Sequence, residues 1–244
     1  MQLHVINPNT SSAMSAKIDA AARAASGAAE ITTLTNADGA ASLESHFEEA
    51  LAVPGLLTLV DEITRTGDSN GIIIACFGDP GVGAARELAK VPVVGIAEAA
   101  MRTAASVATR FSVVTTLART LPMAEDILRR NGLDKQCARL RACEVEVSAL
   151  EALEPSTYQQ LLDECRQACQ QDGIDALVLG CAGMADLNQR LEQSLGIPVI
   201  DGVAAAVQQL EGLARLGITP AKQGDRAYPP AKPLSGPYAH LARR

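Results

Sequence analysis

At 244 residues, with 48% hydrophobic and 20% charged positions, the chain has the composition of an ordinary globular protein and can bury a large core as one domain or two. A net charge of −7 argues against a nucleic-acid-binding surface, and three Phe, three Tyr and no Trp leave little aromatic area for stacking bases. No apolar run approaches the ~20 residues that span a bilayer, and the start, Met1-Gln2-Leu3-His4, lacks a basic stretch before an apolar one, so a cytoplasmic protein without membrane partners is expected.

Residues 3–6 read as a first strand, ended by Asn7-Pro8-Asn9-Thr10-Ser11, where Pro8 forbids further ladder pairing and Thr10 or Ser11 can cap a helix running to about Ala25. Residues 31–34 form a second strand, followed by a loop over 35–43. A helix is predicted from Glu44 to about Thr66, kinked or divided at Pro54-Gly55. Residues 72–75 are a strand buried on both faces, ending in Cys76-Phe77-Gly78-Asp79-Pro80-Gly81. There Pro80 is placed to open a helix and Asp79 to cap it, so Asp79 reads as structural. Next come a helix over 83–88, a strand over 91–95, a helix from Ile96 to about Ala108 and a strand over 111–114 that stops at Thr115-Thr116. A helix over 117–131 is closed by Gly132, residues 140–147 suggest a strand despite their charges, and Pro155-Ser156 opens a helix to about Gln171. Residues 176–179 form the strand leading to Cys181. After it come a helix to about Leu195, a strand over 197–200, a helix over 203–216 and a Pro-rich, basic tail from Thr219 that reads as a surface strap or a mobile end.

Alternating strands and helices call for parallel sheets covered on both faces. An internal repeat refines this. The two strand-to-cysteine turns lie 105 residues apart (181 − 76), residues 4–10 align loosely with 112–118, and residues 91–95 match 197–201. The expected architecture is α/β, with two pseudosymmetric Rossmann-like lobes and an active-site cleft between them. The first lobe takes 1–96 plus 203–244, and the second takes 97–202. Each cysteine would then sit at the C-terminal edge of a sheet, where open α/β sheets bind ligands, and at a helix start whose N–H groups favour a thiolate.

Six cysteines in a chain of this length without a signal peptide are expected as free thiols. Cys165 and Cys169 share a helix face, but no second ligand cluster accompanies them, so they read as core and no metal is expected. Cys76 and Cys181 could be core residues too. Their equivalence in the repeat favours a working pair, a thiolate and a thiol on opposite faces of a carbon acid, exchanging roles at each turnover. The amides of Phe77, Gly78, Ala182 and Gly183 are candidate donors to the developing enolate. Thr115 and Thr116 either bind a polar substrate or cap the next helix, and His46 reads as a surface residue more readily than a cleft one.

Three motifs, Ile6-Asn7-Pro8-Asn9-Thr10-Ser11, Ala75-Cys76-Phe77-Gly78-Asp79-Pro80-Gly81 and Val178-Leu179-Gly180-Cys181-Ala182-Gly183-Met184, resemble the aspartate/glutamate/hydantoin racemase superfamily, its hydantoin and allantoin racemase branch in particular. The Phe77-Gly78 and Ala182-Gly183 pairs differ from the glutamate racemase pattern. The resemblance implies two α/β lobes, no cofactor, catalytic cysteines at Cys76 and Cys181, and a homo-oligomer. It also implies substrate contacts from Asn9, Ser42, Phe77, Gly78, Thr115, Thr116, Ala182 and Gly183. A five-membered ureide is the implied substrate, and Glu44-Ser45-His46-Phe47 favours allantoin over a 5-substituted hydantoin. A related cysteine isomerase or decarboxylase, or a thiol redox sensor without turnover, are the competing readings.

Overall fold

The computed structural model describes residues 1–242. The first half runs β1 (Gln2–Asn7), α1 (Ser12–Ala25), β2 (Glu30–Thr35), α2 (His46–Thr66), β3 (Gly71–Ile74), α3 (Val82–Leu88), β4 (Val93–Gly95) and α4 (Ile96–Val107). The second runs β5 (Phe111–Thr115), α5 (Leu121–Asn131), β6 (Cys137–Ala142), α6 (Ala149–Ala152), α7 (Pro155–Gln171), β7 (Ala176–Gly180), α8 (Asn188–Leu195), β8 (Val199–Ile200) and α9 (Gly202–Arg215).

The strands form two all-parallel sheets of matching order, β2-β1-β3-β4 and β6-β5-β7-β8. Both faces of each sheet are covered, so the central strands are continuous apolar runs. In β3, Ile73 packs with Leu3, Val5 and Ile18, while Ile72 and Ile74 pack with Leu56, Val60 and Ala85. In β7, Val178 joins Phe111 and Met101, while Leu177 and Leu179 join Leu161 and Cys165. The two long connecting helices cross over. α4 leaves the first sheet and packs on β7 and α5 of the second, α9 returns to pack on β3 and α1 of the first, and the two pack on one another.

Several expectations change. Pro54 neither divides nor ends α2, which continues through it from the Ser45 cap to Gly67; the proline gives up one helical bond, to the carbonyl of the exposed Ala50. β6 starts earlier than the predicted 140–147 and overlaps it only at 140–142, because Cys137–Ala142 is the segment in register with β5. Neither cysteine turn leads directly into an α-helix. Residues 76–81 are a turn before α3, and Cys181 precedes a three-residue 3-10 helix, with α8 starting only at Asn188. The tail lies over α2 and α3 as a strap. Lys222 Nζ donates to the carbonyls of Arg86 (2.8 Å) and Glu87 (2.9 Å), and His240 Nε2 lies 3.1 Å from Thr58 Oγ1. Its last two residues lie outside those described. Among the described residues no helix is long and apolar enough to cross a membrane, and no cluster could hold a metal ion.

Asp79 is structural, but it caps a different helix from the one predicted. With φ at 48°, a left-handed conformation that Asp tolerates, it turns its carboxylate onto the N-terminus of α4, accepting from Ala97 N at 3.0 Å and Glu98 N at 2.9 Å. The equivalent helix of the second repeat, α9, is capped by its own preceding residue, Asp201, which accepts from Val203 N and Ala204 N. At the matching position before α4 stands Gly95, where a Cβ would lie 2.2 Å from the Asp79 carboxyl carbon. Gly95 therefore makes room for the borrowed cap.

Asp79→Gly, which removes the cap without straining the backbone, should cost about 1–3 kcal/mol, read as a lowered urea midpoint. Adding Gly95→Asp to that variant should recover most of the loss by rebuilding the Asp201 arrangement, whereas Gly95→Asp alone should destabilise. No recovery in the double variant would contradict the capping account.

Candidate active site

The loops that follow the central strands β1, β3, β5 and β7 converge, so their residues share one cavity. Its wall includes Cys76, Phe77 and Gly78 from the turn after β3, Cys181, Ala182 and Gly183 from the turn after β7, Thr115 at the end of β5 and Thr116 just after it, and Asn9 from the loop after β1. Of the residues anticipated from the sequence, Ser42 alone does not line it; its neighbour Leu43 does. His46 is an exposed side chain outside the cavity.

Asn9 is aimed by its hydrogen bonds. Its Oδ1 accepts from Asn7 Nδ2 at 2.7 Å and Ser11 N at 2.9 Å, which leaves Nδ2 as a donor without a partner among the described residues. The same Ser11 caps α1, holding this loop to the helix behind it. The two threonines separate in role. Thr115 Oγ1 donates to the Gly180 carbonyl at 2.8 Å and fastens β5 to β7, whereas Thr116 Oγ1 has no partner among the described residues and remains available. Neither caps α5, whose flanking residue Thr120 makes no side-chain cap.

Among the described residues the amides of Phe77, Gly78, Ala182 and Gly183 donate to no carbonyl. Those of Gly78 and Gly183 act on the sulfurs of Cys76 and Cys181 respectively and favour their thiolates. Burial is the larger effect. It pushes Cys181 up to about 12 and Cys76 higher still, the reverse of the lowering expected from a helix start, because each sulfur meets one amide rather than the aligned dipoles of a full helix. Smaller charges separate the two thiols: Lys17 favours the Cys181 thiolate against the opposing effects of Cys143 and Glu44, while Glu49, Cys181 and Asp79 disfavour that of Cys76. Lys17 is held by the carbonyl of Leu150 at 2.7 Å, with the Gly183 carbonyl at 3.4 Å and Asp186 at 3.5 Å.

No motif pointed to Met14, Leu43, Glu49, Thr120, Met123, Ala124 and Val147, which with Ala75 and Gly180 complete the wall. Their positions depend on helices from both halves closing over the strand ends. Contacts between the halves fix that closure: Ser11 Oγ donates to Glu151 at 2.5 Å and Val147 N to Glu44 at 3.0 Å.

Residues 3–210 match the family described as Asp/Glu/Hydantoin racemase. A hydantoin racemase from Rhizobium meliloti is 40% identical over 240 residues, covering 97% of this chain and 98% of that protein. Among solved structures, an allantoin racemase from Klebsiella pneumoniae superposes with a TM-score of 0.96 at 48% identity, covering 99% of both chains. An allantoin racemase from Pseudomonas fluorescens does so with 0.90 at 36%, covering 97% of this chain and 100% of that one.

Because burial holds both thiols protonated near neutrality, alkylation of Cys76 and Cys181 by iodoacetamide should be slow at pH 7 and rise about tenfold per pH unit to pH 9, as the thiolate fraction does. Peptide mass spectrometry would follow each site. A plateau below pH 8 at either cysteine would mean a lowered rather than a raised pKa.

Proposed function

The chain belongs to the Asp/Glu/hydantoin racemase family, and from that premise we infer that it is a racemase of five-membered ureide rings, with allantoin as its substrate and Cys76 and Cys181 as its two acid–base groups. The observation that carries this reading is the placing of two cysteines from equivalent turns on one cavity, each with a glycine amide on its sulfur. The 48% identity to an allantoin racemase over nearly the whole of both chains, against 40% to a hydantoin racemase, favours allantoin.

The hydrogen at C5 of the ring lies next to a carbonyl, so its removal gives an enolate. One sulfur, as thiolate, takes that proton; the C–H electron pair moves into the enolate, and the opposite thiol delivers its own proton to the other face of C5. The product has inverted configuration, and the pair is left with thiolate and thiol exchanged. In the small fraction of enzyme that carries one thiolate, Lys17 beside Cys181, together with the separate charges of Glu49 and Asp79 against Cys76, favours placing it on Cys181. General acid–base assistance of this kind contributes roughly 10²–10⁴-fold, so the enolate oxygen also needs donors. The free amides of Phe77 and Ala182, Asn9 Nδ2 and the Thr116 hydroxyl supply them from the cavity wall. The reading groups residues 1–96 with 203–244 as one lobe and 97–202 as the other, with the cavity between. A decarboxylase would need a single essential cysteine; the symmetric placing of two favours proton exchange.

Cys76→Ser and Cys181→Ser should each lower the racemisation rate of enantiopure allantoin, followed by optical rotation, by at least about 10²-fold in both directions. Full activity in either variant would sink the two-base assignment.

A further inference from the structure

We infer that Glu49 determines specificity for the substituent on C5: its carboxylate accepts hydrogen bonds from the N–H groups of a ureido arm and sets the site against alkyl or benzyl arms. This rests on the ureide-racemase reading above and deepens it.

Glu49 stands in the first turn of α2, where an acid could simply serve the helix terminus. That role is already filled. Ser45 Oγ accepts from Glu48 N at 3.3 Å, and Glu48 Oε2 accepts from Glu44 N at 2.7 Å. Glu49 accepts from no backbone or side-chain donor at hydrogen-bond distance among the described residues. The His46 ring Nδ1 lies 3.9 Å away on an exposed side chain and Arg130 acts only through its charge, beyond ion-pair distance, while the Glu49 side chain is only 17% exposed. A carboxylate so far withdrawn from water with its acceptor capacity unspent is set to meet donors that arrive with a ligand.

Its position identifies those donors. A Cβ on Gly78 would lie 1.6 Å from Glu49 Oε1, so the backbone beside Cys76 is bare because the carboxylate passes over it. Glu49 also lines a shallower hollow outside the cavity, with His46, Met123, Asp126, Arg129 and Arg130, and therefore stands at the mouth between the two. When the C5–H axis runs between the sulfurs, the enolate is directed to the amides and the remaining substituent toward that mouth. A ureido arm brings N–H donors to Glu49 there. An alkyl or benzyl arm would desolvate the carboxylate and pair it with nothing, which is the element of discrimination.

The test compares wild type, Glu49→Gln and Glu49→Ala, each with enantiopure allantoin and 5-benzylhydantoin, measuring kcat and KM by optical rotation. The ratio of kcat/KM for allantoin to that for the benzyl substrate should fall at least tenfold in Glu49→Ala, mainly through KM for allantoin, and by a smaller factor in Glu49→Gln. The isosteric Gln variant keeps the test decisive should Glu49→Ala fail to fold. A ratio within twofold of wild type in the folded variants would overturn the inference, since equal losses on both substrates would mean that Glu49 acts only through the charge it places near Cys76. A wild-type enzyme that turns over neither substrate would overturn the ureide reading itself, and the role of Glu49 with it.

Discussion

The close crossing of α4 and α9 is the contact on which the site depends. A Cβ on Gly202 would meet the Ile96 carbonyl oxygen at 2.6 Å, so the first turns of the two helices touch through backbone. Each helix continues from the last strand of one sheet and packs against the other sheet. Their crossing therefore fixes the two sheets with the ends of β1, β3, β5 and β7 turned to a common cavity, and polar contacts such as Ser11 with Glu151 close the rim. The N-termini at this crossing are buried and must be capped. One cap is local, Asp201, and the other is Asp79, drawn from the turn that carries Cys76. The cysteine turn is thereby tied to the helix that joins the halves.

Burial decides the electrostatics throughout this region. It pushes Asp79 up to about 7 and Asp201 to about 6 although each accepts two or more amide bonds, and it lifts both thiols above their ordinary range. A thiolate in this largely desolvated, half-buried setting is a stronger base than one in water, which suits the removal of a weakly acidic proton but leaves a small thiolate population near neutrality. Amides at Gly78 and Gly183 offset part of that effect, and Lys17 offsets more of it on the Cys181 side. The pairing of a desolvated base with donors aimed at the opposite end of the enolate is the physical content of the catalytic proposal.

Much of the fold was legible because Ile72, Ile73 and Ile74, and likewise Leu177, Val178 and Leu179, are unbroken apolar runs that only strands buried on both faces require. The repeat made the sheets' equivalence legible as well, and Cys76, Cys181, Asn9 and Thr116 stand where strand ends place them. What escaped depends on tertiary approach. Asp79 directly before Pro80 reads as a local cap, and only the bare Gly95 across the turn reveals its real target. Strand-to-helix rhythm suggested a helix dipole at each cysteine, whereas the chain spends several residues turning before α3 and α8 begin. Glu49 is one acid among several at the start of α2, and its place in the cavity follows from helix orientation rather than from any motif. Ser42 and Leu43 alternate in a loop, and which of the two faces inward is set by how residues 36–45 fold back, with Thr10 N bonded to the Ala40 carbonyl.

The central claim is that two sulfurs invert the ring carbon, one taking the C5 proton as thiolate and the other delivering its own proton to the opposite face. The most direct measurement is isotopic. One enantiomer of allantoin is incubated with enzyme in D₂O, stopped at low conversion, separated by chiral chromatography and weighed by mass spectrometry against an enzyme-free control. Two bases predict deuterium at C5 of the newly formed enantiomer and retained hydrogen in the unreacted one, from either starting hand. Hydrogen carried into the product, or equal deuterium in both enantiomers, would mean that a single group serves both faces and would contradict the assignment of Cys76 and Cys181.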